Sequence, residues 1–258
     1  MLRFSANLSM LFLEYSFLER FDKAAQSGFR GVEFMFPYDY DIDVLKEKLQ
    51  TNQLEHTLHN LPAGDWAAGE RGIACIPGRE EEFRDGVAAA VRYAKGLGNK
   101  KINCLVGKTP AGFSAEQIQQ TLVENLRYAT NMLAKEDILL LIEPINHFDI
   151  PGFHLTGTQQ ALALIDSVGS NNIKIQYDIY HMQRMEGELT QTMTTWANKI
   201  GHLQIADNPR RGEPGTGEIN YDFIFKFIDK SGYDGWVGCE YKPLTTTEAG
   251  LSWINQYR

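Results

Sequence analysis

Four side chains that carry oxygen stand at the ends of four consecutive strand-like segments. Glu143 follows the apolar run Ile138–Ile142, and Asp178, Gln204 and Glu240 occupy the matching places in the next three segments. A carboxylate that ends a buried strand is costly unless it is paired, hydrogen-bonded or bound to a metal. Three such carboxylates repel one another unless a cation lies among them. Because an all-oxygen set suits Mg²⁺ or Mn²⁺ better than Zn²⁺, the sequence predicts one such divalent ion held by these four residues.

Eight short apolar or alternating segments are predicted strands, and longer amphipathic segments separate them. The predicted strands are Leu2–Leu8, Gly31–Phe36, Leu54–His59, Lys101–Val106, Ile138–Glu143, Ile173–Asp178, Gly201–Ile205 and Trp236–Tyr241. Strands that alternate with helices, without a Pro- or Ser-rich linker, pair in parallel. Eight such units predict a single (β/α)₈ TIM barrel domain over residues 1–258, with an open doubly wound sheet as the alternative.

Local signals mark where the helices begin and end. The segment Ser114–Lys135 carries one apolar stripe at spacings of three and four residues. Predicted capping boxes pair Ser114 with Gln117, Thr156 with Gln159, and Thr245 with Glu248. Predicted helix ends carry Gly28, Gly98 and Gly232, since glycine easily adopts a left-handed conformation.

Two long loops follow predicted strands three and seven, at residues 60–79 and 207–220. Loops of this length in compact domains are often functional. The first contains Trp66, Glu70 and Arg71, and we expect it to form a lid over the barrel mouth.

Composition excludes several classes of partner. The net charge of −8 disfavours nucleic acid and anionic membrane surfaces. No run reaches the roughly 18 apolar residues of a membrane span, and the N-terminus lacks a secretory signal. Three cysteines without metal-binding spacing predict reduced thiols and a cytoplasmic location. The aromatic residues Trp253 and Tyr257 predict either helix-to-barrel packing or a homo-oligomer interface.

The strand ends also carry a family resemblance. The segments Glu143-Pro, Asp178-Ile-Tyr-His181, Gln204-Ile-Ala-Asp and Glu240-Tyr-Lys-Pro243 resemble the sugar isomerase/epimerase barrels related to xylose isomerase and endonuclease IV. Within that superfamily, the segments at residues 7–12, 33–38, 77–80 and 217–221 are similar to the hydroxypyruvate isomerase branch.

The resemblance implies an activity and roles for the four residues. It implies interconversion of hydroxypyruvate and 2-hydroxy-3-oxopropanoate, a reaction of glyoxylate metabolism. Glu143 and Glu240 would be the acid/base pair, and both would join Asp178 and Gln204 as metal ligands. Many related ketose epimerases have a histidine where Gln204 stands, so we expect a neutral amide to bind the ion less tightly.

Further residues are candidates for contacts with a small 2-oxo acid. Arg210 matches the spacing of an arginine that related epimerases use for substrate, and His181 matches a family position that hydrogen-bonds substrate. Lys108 and His59 follow or end strands and are weaker candidates, as are Arg211, Lys242 and His147. We expect Glu33, which ends strand two, to orient substrate or to pair with an arginine in the mouth.

Other functions stay open from the sequence. A 2-oxo-tetronate isomerase would use the same metal and glutamates. Substrate length would depend on how closely Trp66, Phe12 and the 60–79 loop close the mouth. An endonuclease-IV-like phosphodiesterase would need more histidines and a basic face, and a non-catalytic binding barrel would leave the paired glutamates unexplained.

Overall fold

The computed structural model describes residues 2–257, in which strands and helices alternate. The strands are β1 (Arg3–Asn7), β2 (Gly31–Glu33), β3 (Glu55–Asn60), β4 (Lys101–Cys104), β5 (Leu139–Ile142), β6 (Ile173–Asp178), β7 (Ile200–Ile205) and β8 (Trp236–Cys239). The α-helices are α1 (Phe17–Gln26), α2 (Ile42–Thr51), α3 (Glu80–Leu97), α4 (Ala115–Ala134), α5 (Thr158–Val168), α6 (Ile179–Met185), α7 (Leu189–Thr195) and α8 (Tyr221–Lys230). Two 3₁₀ helices cover Ala197–Lys199 and Ala249–Gln256.

The eight strands close into a parallel barrel in chain order. Ser5 of β1 is paired with Gly31 of β2 on one side and with Gly238 of β8 on the other. This closure confirms the predicted barrel and excludes the open sheet. Since parallel strands carry their carboxyl ends to one rim, the closed barrel brings the four predicted site residues to a single mouth.

Helix α4 forms as the sequence predicts. The Ser114 hydroxyl accepts from the Gln117 backbone at 3.2 Å, and the Gln117 side chain accepts from the Ser114 backbone at 2.9 Å. The apolar stripe is buried against the barrel and consists of Ile118, Leu122, Leu126, Ala129 and Leu133. Glycines at the other predicted helix ends have positive φ angles, among them Gly98 at 73° after α3.

Two predicted capping boxes are wrong. Helix α5 begins after Gly157, and the amide and hydroxyl of Thr158 both donate to Glu186, a carboxylate from another helix end. A long-range partner therefore replaces the local box predicted at Thr156. At the chain end, the backbone of Thr247 donates to Glu14 and the segment that follows is 3₁₀ rather than α-helical.

The final 3₁₀ helix packs against the barrel layer. The Trp253 ring lies 5.2 Å from Phe4, and the Tyr257 ring lies 4.7 Å from Phe225, measured between centroids. These contacts favour the packing interpretation of both aromatic residues. Among the helices within residues 2–257, none has the length and apolar character needed to cross a membrane.

His59 lies between the barrel and the helix layer. It is fully buried, its Nε2 lies 3.3 Å from the Ala90 carbonyl of α3, and its Nδ1 lies 3.1 Å from the Asn99 amide. The ring therefore contacts helix α3 and the turn that follows it instead of substrate at the mouth. Burial lowers the pKa of His59 from 6.5 to about 4.

We predict that His59 makes the protein less stable in acid. Because the folded state disfavours the charged imidazole, the free energy of unfolding should be constant above about pH 7 and fall as the pH drops below 6.5. Between pH 7.5 and 5 the contribution of this group is about 2 kcal/mol. Urea unfolding of the wild type and His59→Gln at both pH values measures it. An equal pH dependence in both proteins would contradict the assignment.

Candidate active site at the barrel mouth

The four predicted residues meet at the carboxyl ends of β5 to β8. Asp178 and Gln204 are paired in the β6–β7 register, Glu143 follows β5, and Glu240 follows β8. Each has less than 7% of its surface exposed, the largest fraction being 6% for Glu240. The mouth thus contains three buried carboxylates and one amide.

Glu143 is held by two amide side chains at one oxygen. Its Oε2 accepts from Asn103 Nδ2 at 3.0 Å and from Gln176 Nε2 at 2.9 Å. Its Oε1 has no hydrogen-bond donor among residues 2–257 and lies 3.8 Å from His181 Nε2. One oxygen is therefore fixed, and the other faces the mouth.

Glu240 repeats this arrangement with a different pair of amides. Its Oε2 accepts from Asn7 Nδ2 at 3.1 Å and from Gln204 Nε2 at 2.6 Å. Its Oε1 accepts from Arg211 Nη2 at 2.6 Å. In both glutamates, two neutral N–H donors therefore bind Oε2, and Oε1 faces the mouth.

Asp178 has one oxygen directed into the same space. Its Oδ1 accepts from the Tyr180 backbone at 2.8 Å, and its Oδ2 is buried without a hydrogen-bond partner in the described part of the chain. An orphaned carboxylate oxygen is unfavourable unless a cation approaches it. Asp178 Oδ2 is thus a free ligand atom.

The three buried carboxylates of the mouth favour a bound cation. Burial, together with the charges of Glu240 and Asp178, raises the pKa of Glu143 well above its usual range. Burial likewise raises the pKa of Glu240, and it raises the pKa of Asp178 to about 6. These shifts persist although the charge of Arg211 opposes them, so a further cation in the mouth would favour ionisation of all three groups.

His181 directs its Nε2 into the mouth, 3.5 Å from Asp178 Oδ2 and 3.8 Å from Glu143 Oε1. Its Nδ1 accepts from the Asn146 backbone at 3.4 Å and from the Asn146 side chain at 2.6 Å. Burial lowers the pKa of His181 well below its usual value, and the charges of Arg211 and Arg184 lower it further. A neutral ring that accepts at Nδ1 carries its proton on Nε2, which is the atom nearest Asp178 and Glu143.

A metal ion could bind among these side chains. Among the His, Cys, Asp and Glu residues that the structure describes, one group could surround an ion: Glu143, Asp178 and His181, with ligand atoms within 4.8 Å of one another. The Nε2–H form of His181 favours the two carboxylates over the imidazole as ligands. Glu240 is not part of this group, and its Oε1 accepts from Arg211.

Arg211 is the cation that the structure brings to this mouth. Its Nη2 lies 2.6 Å from Glu240 Oε1, 3.8 Å from Asp178 Oδ2 and 3.4 Å from His181 Nε2. Its backbone φ of 57° belongs to the left-handed region and lies in the turn that the antiparallel bridge between Asp207 and Gly212 closes. The preceding residue, Arg210, was the predicted substrate ligand, yet it is exposed.

The remaining predicted residues lie away from the carboxylates. Lys108 is exposed, and its Nζ donates to the Gly69 carbonyl in the 60–79 loop at 2.9 Å. His59 contacts α3, as described above. Lys242 and His147 are exposed.

Glu33 pairs with a histidine rather than with an arginine. Its carboxylate is fully buried, and its Oε2 lies 2.9 Å from His202 Nε2. Its Oε1 accepts from Gln204 Nε2 at 2.8 Å and from Asn7 Nδ2 at 3.1 Å. Glu33 therefore lies inside the barrel, below the mouth.

The 60–79 loop is an irregular segment attached to the barrel rim. Trp66 packs on Phe36 with ring centroids 5.1 Å apart, and the Arg71 guanidinium lies 3.9 Å from the Trp66 ring centroid. Phe12 is fully buried and packs edge-on to Phe29, so it belongs to the core instead of closing the mouth. A lid function of this loop stays a prediction.

Sequence reasoning missed four buried polar residues beside the site, Asn7, Asn103, Gln176 and His202. The three amides donate to Glu143 or Glu240, and His202 contacts Glu33. A signal for two of them was present, because Gln176 and His202 stand two residues before Asp178 and Gln204 on the same strands. Side chains two residues apart on a strand face the same side. A polar residue at that place faces the barrel interior.

The fold and the site together define a (β/α)₈ barrel with a carboxylate-rich centre at the carboxyl ends of its strands. The family model described as xylose isomerase-like TIM barrel matches residues 21–257. This chain belongs to that family, as predicted.

Named relatives extend over the whole chain. It is 84% identical over 258 residues to hydroxypyruvate isomerase of Escherichia coli (strain K12), with 100% of both chains covered. It is 45% identical to 2-oxo-tetronate isomerase of Cupriavidus necator, over 99% of this chain and 98% of that protein. A crystal structure described as AP endonuclease, family 2, from Brucella melitensis is 46% identical, covers 100% of both chains and has a TM-score of 0.97.

Proposed function

We propose that this chain interconverts hydroxypyruvate and 2-hydroxy-3-oxopropanoate. The observation that carries the proposal is the matched pair Glu143 and Glu240, each with one oxygen held by two amides and the other facing the same mouth. The 84% identity to a hydroxypyruvate isomerase over the full chain supports it.

The two glutamates provide the proton chemistry. Moving a carbonyl to the neighbouring carbon requires that a proton leave one carbon and that a proton be delivered to the other. Glu143 Oε1 and Glu240 Oε1 are the oxygens placed to exchange those protons. Because burial raises the pKa of both groups, each is a stronger base than an exposed glutamate and also keeps a proton more readily.

The charge of the mouth favours a divalent ion. Glu143, Asp178 and Glu240 bring three negative charges when ionised and Arg211 brings one positive charge, so one divalent cation balances the remainder. The carboxylates of Glu143, Asp178 and Glu240 and the carbonyl of Gln204 are the proposed ligands. Mg²⁺ or Mn²⁺ bound there would stabilise the negative charge that develops on the substrate oxygens.

Arg211 is the proposed receptor for the substrate carboxylate, in place of Arg210. A guanidinium binds a carboxylate through two parallel hydrogen bonds, and Arg211 already makes a carboxylate contact in the mouth. His181, with its proton on Nε2, is the proposed donor to a second substrate oxygen.

Glu143→Gln and Glu240→Gln should each lower kcat by about 10²–10⁴-fold, since glutamine keeps the shape but cannot exchange a proton. The same variants should stop the incorporation of deuterium from solvent into hydroxypyruvate, followed by proton NMR. Retained incorporation in both variants would overturn the proton-transfer scheme.

Arg211→Met and Arg210→Met form a matched pair at neighbouring positions. Loss of the Arg211 carboxylate contact should raise KM for hydroxypyruvate by about 10–100-fold, as expected for a charged hydrogen bond. Arg210→Met should leave KM within about threefold of the wild type, because that side chain is exposed. Steady-state kinetics of both variants distinguish the two arginines, and the reverse pattern would restore the assignment made from the sequence.

The second candidate is a 2-oxo-tetronate isomerase, which the 45% identity to the Cupriavidus necator protein favours. Carbonyl-shift assays with three- and four-carbon oxo acids should show the highest kcat/KM for hydroxypyruvate. A higher value for the four-carbon substrate would select the second candidate.

Treatment with EDTA should remove activity and added Mg²⁺ or Mn²⁺ should restore it, whereas full activity after chelation would exclude the metal.

A further inference from the structure

Two amide groups bridge Glu33 and Glu240 inside the barrel. Gln204 Nε2 lies 2.8 Å from Glu33 Oε1 and 2.6 Å from Glu240 Oε2. Asn7 Nδ2 lies 3.1 Å from each of the same two oxygens. Each NH₂ group thereby uses both of its hydrogens, and the two carboxylate oxygens and two amide nitrogens form a closed ring of four hydrogen bonds, which we call the amide ring.

The barrel makes room for the Glu33 carboxylate and fixes it from below. Glu33 Oε2 lies 2.9 Å from His202 Nε2, and both side chains are fully buried. Opposite them stands Gly238 of β8, where an added Cβ would lie 2.5 Å from both Glu33 oxygens. Real Cβ atoms do not approach so closely, so a side chain at this position would displace Glu33.

The direction of an amide is set by its partners, since its oxygen and nitrogen ends have nearly the same shape. The acceptor Glu33 Oε1 requires the nitrogen end of Gln204 to point into the ring. The Gln204 oxygen then points away from the ring and accepts from Gln176 Nε2 at 2.7 Å. Gln176 Nε2 also donates to Glu143 Oε2, so the orientation that begins at Glu33 is passed on to both glutamates.

We propose that Glu33, anchored by His202, is a positioning residue that sets the direction of the Gln204 and Asn7 amides and thereby keeps Glu240 Oε1 facing the mouth. Glu33 does so through other side chains and contacts no reacting atom. The inference rests on the proposed function insofar as Glu240 exchanges the substrate proton. The orientation of the Gln204 carbonyl does not depend on that function, and it provides a separate test through metal binding.

The test is Glu33→Gln, which keeps the shape but turns one acceptor oxygen into a donor facing other donors. Supporting groups of this kind contribute about 10–100-fold. We expect kcat for hydroxypyruvate to fall by about that factor with KM changed less than about threefold, and Mn²⁺ affinity, measured by EPR, to weaken by about tenfold. Unchanged kcat and Mn²⁺ affinity would overturn the proposal.

A double-mutant cycle with Gln204→Met separates positioning from a general loss of packing. Methionine fills the space of glutamine without its amide, so the cost of Glu33→Gln in kcat should shrink to less than about a third of its value in the wild-type background. An equal cost in both backgrounds would overturn the proposal. The control Glu186→Gln changes a carboxylate that caps α5 and should keep wild-type kcat and Mn²⁺ affinity.

A second variant covers the case in which Glu33→Gln does not fold. Gly238→Ala keeps every polar group but displaces the Glu33 carboxylate, and it should lower kcat and Mn²⁺ affinity in the same proportion. A folded Gly238→Ala protein with wild-type values would contradict the proposal. If wild-type protein acts on none of the oxo acids, the proposed function fails, whereas the Mn²⁺ affinities still decide the role of Glu33.

Discussion

Burial of three carboxylates in one mouth is the constraint on which the rest of the structure depends. Burial opposes ionisation of Glu143, Asp178 and Glu240, and the charge of Asp178 further opposes ionisation of both glutamates. Neutral amides hold one oxygen of each glutamate. An amide N–H stabilises the charged form without neutralising it, so the glutamate stays basic. A permanent ion pair at the same oxygen would fix the side chain equally well but would lower its pKa and its reactivity.

This requirement explains the unusual polarity of the barrel interior. Layers of Val, Ile and Leu usually fill the interior of such barrels. Here the interior contains Glu33, His202 and the amides, and it also contains a Ser5–Thr57 hydrogen bond of 2.7 Å. The apolar core is displaced outward, between strands and helices, where the α4 stripe is buried. The apolar residues that stabilise the fold therefore lie outside the barrel, and the polar residues that support the site lie inside it.

The limits of sequence prediction follow from the same separation. A single acid that ends an apolar strand is visible in the chain, which is why Glu143, Asp178 and Glu240 were predicted. The choice between Arg210 and Arg211 was not visible, because it depends on one left-handed backbone position in an irregular loop. The capping of α5 by Glu186 is similarly a contact over 28 residues that no local pattern contains. Gln176 and His202 could have been found from the two-residue period of their strands.

The likeness between the two glutamate environments has a chemical meaning. In a reversible isomerisation, the group that accepts a proton in one direction donates it in the other, so neither residue can be specialised as a strong acid or a strong base. Two amide donors on Oε2 give Glu143 and Glu240 the same support. The difference between them is the Arg211 contact to Glu240 Oε1. A substrate carboxylate that binds Arg211 in place of Glu240 would remove this difference. Binding of the substrate would then give the two glutamates the same hydrogen-bond contacts.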